Sequence, residues 1–227
     1  MIHLRVAERL CDQLQPQHHG AFLLGNMAPD SGLPVDGGSR YVPDKDISHF
    51  RFPDATGEKR IHEEVFLSRC FSPAKRAACS ADAWAFHYGY VIHLLTDKLW
   101  RRDILPLAVQ WQPTLHAADQ GTFWRQVKKD WYDLDFLYLK AHPDFPSYRR
   151  YRTYPHPENV YLDFFPPDAF ALRRRFILDF YREGVARVVP RPTHLSARQL
   201  DAFVASCARE LPECCGFLAD EIKARGL

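Results

Sequence analysis

The stretch SADAWAFHYGYVIHLLTDKLWRRDILPLA, residues 80–108, constrains the fold more than any other part of the chain. Ser80 is suited to cap a helix, and Asp82 falls in the first turn, where unpaired amides favour a carboxylate. Beyond that turn the sequence is apolar or aromatic around most of a helical circumference. A helix of that kind lies inside the molecule. It nevertheless carries His93 and Asp97. At i and i+4 the two share one face. Trp100 extends that face, while Val91, Ile92, Leu95 and Leu99 cover other sides. Burying such polar groups without partners is costly. Two readings meet the cost. One is a structural hydrogen bond; the other is joint ligation of a metal, as ligands one turn apart provide in H-E-x-x-H sites.

The rest of the chain is also read as helix and loop. Ile2, Val6, Leu10 and Leu14 give residues 2–14 an amphipathic period. HHGAFLLGNMAPDSG (18–32) reads as a short apolar helix ended by Gly25 or Asn26, then a turn at Pro29 and Asp30. Residues 31–57 are rich in Gly, Pro, Asp and Ser and read as a long loop without clear period; such loops are usually functional or mobile. Further helices are expected at 57–71, 117–141, about 168–188, 196–209 and 211–225, the last two starting at Ser196 and Pro212. Residues 142–168 are Pro- and Tyr-rich and read as mostly loop. No repeat, strand pattern or linker stands out. The expected fold is therefore all-α, a single multi-helix domain spanning 1–227 with the 80–108 helix at its centre.

Composition narrows the setting. With 227 residues, 46% apolar and 26% charged, the chain can bury a sizeable core. A net charge of +2 gives no general case for nucleic-acid binding. Cys11, Cys70, Cys79, Cys207, Cys214 and Cys215 form no C-x-x-C pair, and the adjacent Cys214 and Cys215 lack soft-metal partners at ligand spacing. Reduced thiols in a cytoplasm are expected. The N-terminus does not read as a signal peptide, and no run approaches the roughly 20 apolar residues of a membrane span.

Three other residues bear on His93 and Asp97. His3 lies in the first helix, Asp30 closes the apolar run LLGNMAPD, and His49 sits late in the polar loop. Each has an ordinary reading: a solvated terminal residue, a turn residue after Pro29, a loop histidine. Together with His93 and Asp97 they make a set of three histidines and two carboxylates, ligand types suited to zinc.

The motifs HLRVAERL, FLLGNMAPDSG, SHF and YGYVIHLLTDKLW, in that order, resemble the zinc-dependent phospholipase C family. Secreted bacterial phospholipases C belong to it, and single-strand-specific fungal nucleases share its fold. The resemblance covers roughly residues 1–105, leaving 106–227 as a helical remainder that shapes the cleft. It implies an all-α domain with a metal cluster at the bottom of that cleft. Carried over residue by residue, it implies that Asp30, His49, His93 and Asp97 bind one zinc. Asp97 would bridge to a second ion held by His3, and Asp30 would lie beside the bridging water as ligand and general base. Zinc, as two ions, is the implied cofactor, and manganese or iron suits the same ligand types. The implied reaction is metal-assisted hydrolysis of a small-molecule or lipid phosphoester.

The chain departs from the family in two places. The secreted phospholipases hold a third zinc partly through a downstream H-x-x-x-E, which this sequence lacks; His116, His142, His156 and His194 lie in other contexts. The third site is expected to be absent or built differently. Those enzymes also ligate metal through a processed N-terminal amine, whereas here His3 follows Met1 by two residues.

Secondary candidates remain. SYRRYRTY (147–154) interleaves Arg149, Arg150 and Arg152 with tyrosines; it reads as a phosphate-binding segment or as a solvated loop. LRRRF (172–176) reads as a polar helix face, and His87, six residues before His93, points elsewhere. The leading expectation is a phospholipase C-like phosphoester hydrolase. The alternatives are a nuclease of the same fold, disfavoured by the near-neutral charge, and a non-catalytic helical scaffold.

Overall fold

Two glycines decide how the centre of the molecule is assembled. A Cβ on Gly25 would stand 1.9 Å from the carbonyl oxygen of Phe86, and a Cβ on Gly89 would stand 2.0 Å from that of Phe22. The backbones of α2 (His19–Met27) and α6 (Ala81–Asp103) therefore cross in direct contact, which only residues without a side chain permit. The structure, a computed structural model, describes residues 1–111, 119–191 and 193–227. It is mainly α-helical, as the hydrophobic periods imply.

The first helix, α1 (Ile2–Leu10), packs on α2, α6 and the later helices through Leu4, Val6, Ala7 and Leu10. Between α2 and α6 the chain forms a hairpin of β1 (Leu33–Val35) and β2 (Arg40–Val42), a turn of helix α3 (Lys45–Ser48), and a second hairpin of β3 (Arg51–Pro53) and β4 (Lys59–Ile61). Then come α4 (Glu63–Cys70) and α5 (Pro73–Ala78). After α6 follow α7 (Leu105–Gln110), α8 (Gln120–Ala141), α9 (Pro146–Thr153), α10 (Ala169–Arg187), α11 (Ala197–Cys214) and α12 (Gly216–Arg225). One apolar cluster runs through the molecule from Met1 to Leu227.

Local chemistry sets several boundaries. The Ser80 hydroxyl accepts from the Ala83 N–H at the start of α6, and Asp119 accepts from the Thr122 N–H at the start of α8. Ser196 and Gln199 form a capping box at the start of α11. The expected 80–108 helix stops at Asp103, because Pro106 has no N–H with which to continue the ladder, and α7 begins there.

Four expectations change. The 31–57 segment is not an irregular loop: β1 pairs with β2 from Leu33↔Val42 to Val35↔Arg40, and β3 pairs with β4 from Arg51↔Ile61 to Pro53↔Lys59. Strands of three residues are too short to display a period of two. The expected 57–71 helix loses its start to β4, so α4 begins at Glu63. Part of the 142–168 segment is helical, as α9. Pro212 lies inside the last turn of α11 rather than opening α12. His116 and the first residues of the expected 117–141 helix lie outside the described residues.

Candidate metal centre

Each of the five candidate ligands is carried by a different piece of local structure. His93 and Asp97 stand one turn apart on α6. The close crossing brings the last turn of α2 against α6, so the Asn26 carbonyl oxygen lies 2.7 Å from His93 Nδ1. A carbonyl only accepts, so Nδ1 carries the proton and the lone pair of the neutral ring is on Nε2. Asp30 follows α2 on a short 3-10 turn, Ala28–Asp30. His49 ends α3. Tyr90, less than one turn before His93, donates its hydroxyl to the Ser48 carbonyl and so ties α3 to α6. Phe50, the next residue, holds a left-handed φ of 51° and is buried against Phe66, Tyr90 and Phe164. That backbone state costs a bulky residue of the order of 1–3 kcal/mol and is typical of segments that aim a functional side chain. His3 projects from α1 and stacks on His93 with ring centroids 3.8 Å apart and planes 7° from parallel.

The five side chains converge. His49 Nε2 lies 3.4 Å from His93 Nε2, 3.5 Å from Asp97 Oδ2 and 3.6 Å from Asp30 Oδ1. His93 Nε2 lies 3.8 Å from Asp97 Oδ2. The other oxygen of Asp97, Oδ1, lies 3.3 Å from His3 Nε2. His93 and His49 are 0% and 2% exposed, whereas the two carboxylates open toward a cavity.

The charges are not balanced by the protein. Burial pushes His93 down to about 3, helped by His3, and burial likewise lowers His49. Both rings are therefore neutral near pH 7. Burial would raise Asp30, but Lys45 and the three histidines outweigh it and hold its carboxyl well below the usual range. Asp97 is also held low: burial opposes, while a bond from His3 and the fields of His93, His3 and His49 prevail. Lys45 Nζ lies 2.9 Å from Asp30 Oδ1. Two carboxylates thus face one ammonium. The buried His3 Nδ1 has no hydrogen-bond partner among the described residues.

A divalent ion fits this donor set. With ligand bonds of about 2.0–2.1 Å, the edge of a tetrahedron of zinc ligands is about 3.3 Å, close to the 3.4–3.8 Å separations here. Among the described residues, His49, His93 and Asp97 offer ligand atoms close enough to share one ion, and His3, Asp30 and His93 form a second such group, so Asp30 falls with His3 and His93 rather than with Asp97 as the resemblance implied. The carbonyl behind His93 plays the orienting part that such ligands require.

The cavity in front of the cluster has a volume of about 260 Å³. Its walls include Lys45, Trp100, Lys128, Trp131, Tyr132 and Asp135. The Trp131 indole nitrogen is buried without a partner among the described residues. The Met1 amine lies 2.9 Å from Asp135 and 2.7 Å from the Tyr181 hydroxyl. Arg149, Arg150 and Arg152 lie on α9 and are not among the residues lining this cavity; Arg152 pairs with Asp144 at 3.0 Å. Lys45 was not foreseen from the sequence, although it precedes His49 by one helical turn. Lys128 and Tyr132 were also not foreseen, being ordinary polar-face positions on α8. No protein-family model, curated protein or solved structure matches this chain.

Proposed function

We propose that the chain is a metal-dependent phosphoester hydrolase whose His3, Asp30, His49, His93 and Asp97 hold two divalent ions, with zinc the first candidate. The observation that carries this reading is the convergence of His49, His93 and Asp97 at 3.4–3.8 Å beside a second group of His3, Asp30 and His93, with the His93 lone pair aimed into the cluster by the Asn26 carbonyl. The motifs that resemble the zinc-dependent phospholipase C family point to the same five residues.

Divalent ions held by these residues would supply an acidified water near neutral pH and positive charge for phosphate oxygens. The chain's own residues do the rest. His49 and His93 remain neutral donors because burial disfavours their protonated forms. Asp97 presents one oxygen to His49 and His93 and the other to His3. Asp30 is ionised throughout the neutral range, which suits a ligand; accepting a proton requires that Lys45 release it. Lys128 and the Trp131 N–H stand in the cavity as donors for an anion. A small-molecule phosphoester or the head of a lipid one is compatible with a cavity of about 260 Å³. Among the described residues no helix is long and apolar enough to cross a membrane.

The test is hydrolysis of bis(p-nitrophenyl) phosphate by protein supplied with zinc, manganese or iron. Turnover that is abolished by chelation and restored by metal is expected. A folded, metal-loaded chain that hydrolyses no mono- or diester would refute the reading.

A further inference from the structure

Two arginine-rich segments of the sequence, SYRRYRTY (147–154) and LRRRF (172–176), contribute no wall to the metal cavity. The fold brings them together. The first runs along α9 and the second lies on α10. Arg152 from one and Arg174 and Arg175 from the other line a single pocket, joined by Arg182 about two turns further along α10. Its volume is about 570 Å³, and it shares no lining residue with the metal cavity. Arg174 donates to the backbone carbonyls of Tyr151 and Tyr154, which fixes α9 against α10.

The pocket has an arginine rim and an apolar floor, to which Leu139, Leu178 and Val185 contribute. Four guanidiniums face one carboxylate, Asp179, in a chain whose 30 basic and 28 acidic residues nearly balance. Arg175 has no partner among the described residues. Arg152 is paired with Asp144 and Arg182 with Asp179, but these ion pairs are exposed, contribute little and exchange readily for a partner's carboxylate. Burial raises the Tyr148 hydroxyl, while Arg152 from α9 and Arg182 from α10 both oppose the rise, so the two helices direct charge into one space. On α10 the lining residues follow a helical period: Ala171, Arg174 with Arg175, Leu178, Arg182 and Val185 lie three or four residues apart. Charge and apolar surface thus alternate along a strip about 21 Å long, at 1.5 Å per residue. An amphipathic helix with acidic and apolar residues on the same period is its complement. Guanidinium forks suit carboxylates, which they bind through two parallel bonds. A single small phosphate is a poorer match, because Arg175 and Arg182 leave the helix about 10 Å apart. A membrane surface is a poorer match too, because the apolar residues form a floor beneath the cations rather than a protruding tip.

We propose that the α9–α10 pocket is a docking site for an acidic amphipathic helix of a partner protein. Its carboxylates pair with Arg152, Arg175 and Arg182, and an apolar side chain between them packs on Leu178. The site is separate from the phosphoester-hydrolase reading and stands or falls without it.

The experiment is fluorescence anisotropy of a labelled peptide of about 15 residues, long enough to begin forming a helix, titrated with the full chain. Its glutamates and leucines alternate every three or four residues along one face. One control peptide carries Gln for every Glu, and another has the same composition in scrambled order. The acidic peptide is expected to bind at least about tenfold more tightly than either control. Arg175→Ala and Arg182→Ala, both at exposed positions that do not threaten the fold, each weaken it about fivefold and flatten its salt dependence. Arg187→Ala, on the same helix but outside the pocket, leaves the affinity unchanged. Removal of metal by chelation leaves it unchanged as well, which separates this site from the metal centre. An acidic peptide that does not bind overturns the proposal. Equal binding of the scrambled peptide, or an equal loss with Arg187→Ala, reduces the pocket to general positive charge and also overturns it. So does pyrophosphate that displaces the peptide at micromolar concentration, or binding of phosphatidylserine–phosphatidylcholine vesicles that Arg175→Ala and Arg182→Ala abolish.

Discussion

The crossing of α2 and α6 and the pairing of α8 and α10 bound the same cavity but are built in opposite ways. At the crossing, glycine brings backbones into contact, the His93 tautomer is set by a carbonyl, and both histidines are sealed from water. Nothing there can move far without displacing a ligand. On the α8–α10 side, among the described residues, Lys128 has no ion-pair partner, the Trp131 indole nitrogen has no acceptor and Tyr132 is partly exposed. That wall offers donors and rings and lets them adapt. Chemistry that depends on tenths of an ångström sits on the first kind of construction, and recognition of a variable ligand suits the second.

If the crossing is the chemical half, its ligands carry the largest effects. His93→Ala is expected to lower metal affinity by more than the 10- to 100-fold seen when only an orienting partner is lost, so by at least about 100-fold. Titration against a competing chelator measures this, and hydrolysis should fall with occupancy. An unchanged zinc affinity would break the comparison at its root. Next comes the crossing itself. Gly25→Ala places a methyl group 1.9 Å from a backbone oxygen that has no room to yield. A cost near the top of the overpacking range, about 3 kcal/mol, lowers Tm by roughly 10 °C for a chain of this size. The same substitution should also weaken metal binding, because Asn26 and Asp30 move with α2. A variant with wild-type Tm would show that the helices are not locked.

The pH response of chelated protein follows in size. His93 ionises at about 3 in the folded chain and at 6.5 ordinarily. Between those values the unfolded chain binds a proton that the folded chain refuses, so stability falls as pH drops through this window. Asp30 and Asp97, held low, act in the same direction below about pH 4. Urea unfolding at pH 7 and pH 5 should show a larger loss in wild type than in His93→Gln. Parallel losses would remove His93 as the cause. The smallest effect is expected at Lys45, which stands on the open side. Lys45→Met frees the Asp30 carboxylate from its ammonium, and zinc affinity should rise by about fivefold, the scale of a partly exposed ion pair. A fall in affinity would mean that Lys45 supports the site rather than competing for it.

The two halves also differed in how far they could be read from the sequence. His93 and Asp97 stood out because an i, i+4 polar pair on an otherwise apolar helix has few explanations. His3, Asp30 and His49 came through motif resemblance, and only the fold brings them within 3.3–3.6 Å of a partner ligand. The all-α class followed from the helical periods, whereas the two hairpins between Leu33 and Ile61 did not, since their strands are held by pairing and not by a buried face. Gly25 and Gly89 are legible as a contact only when both helices are known. Lys128 and Tyr132 look like any solvated face of α8 until the metal cavity is placed beside them. The near-neutral net charge gave no sign of the arginine pocket between α9 and α10, because a whole-chain sum does not reveal where charge collects.

The most direct measurement is metal per chain, by elemental mass spectrometry on protein purified without chelator, with His93→Ala prepared alongside. The account predicts about two divalent ions per chain in the wild type, as a dinuclear phosphoester site requires, and a marked loss in the variant. A wild-type chain that carries none, and takes up none from added zinc, manganese or iron, would contradict it and leave His93 and Asp97 as a buried polar pair.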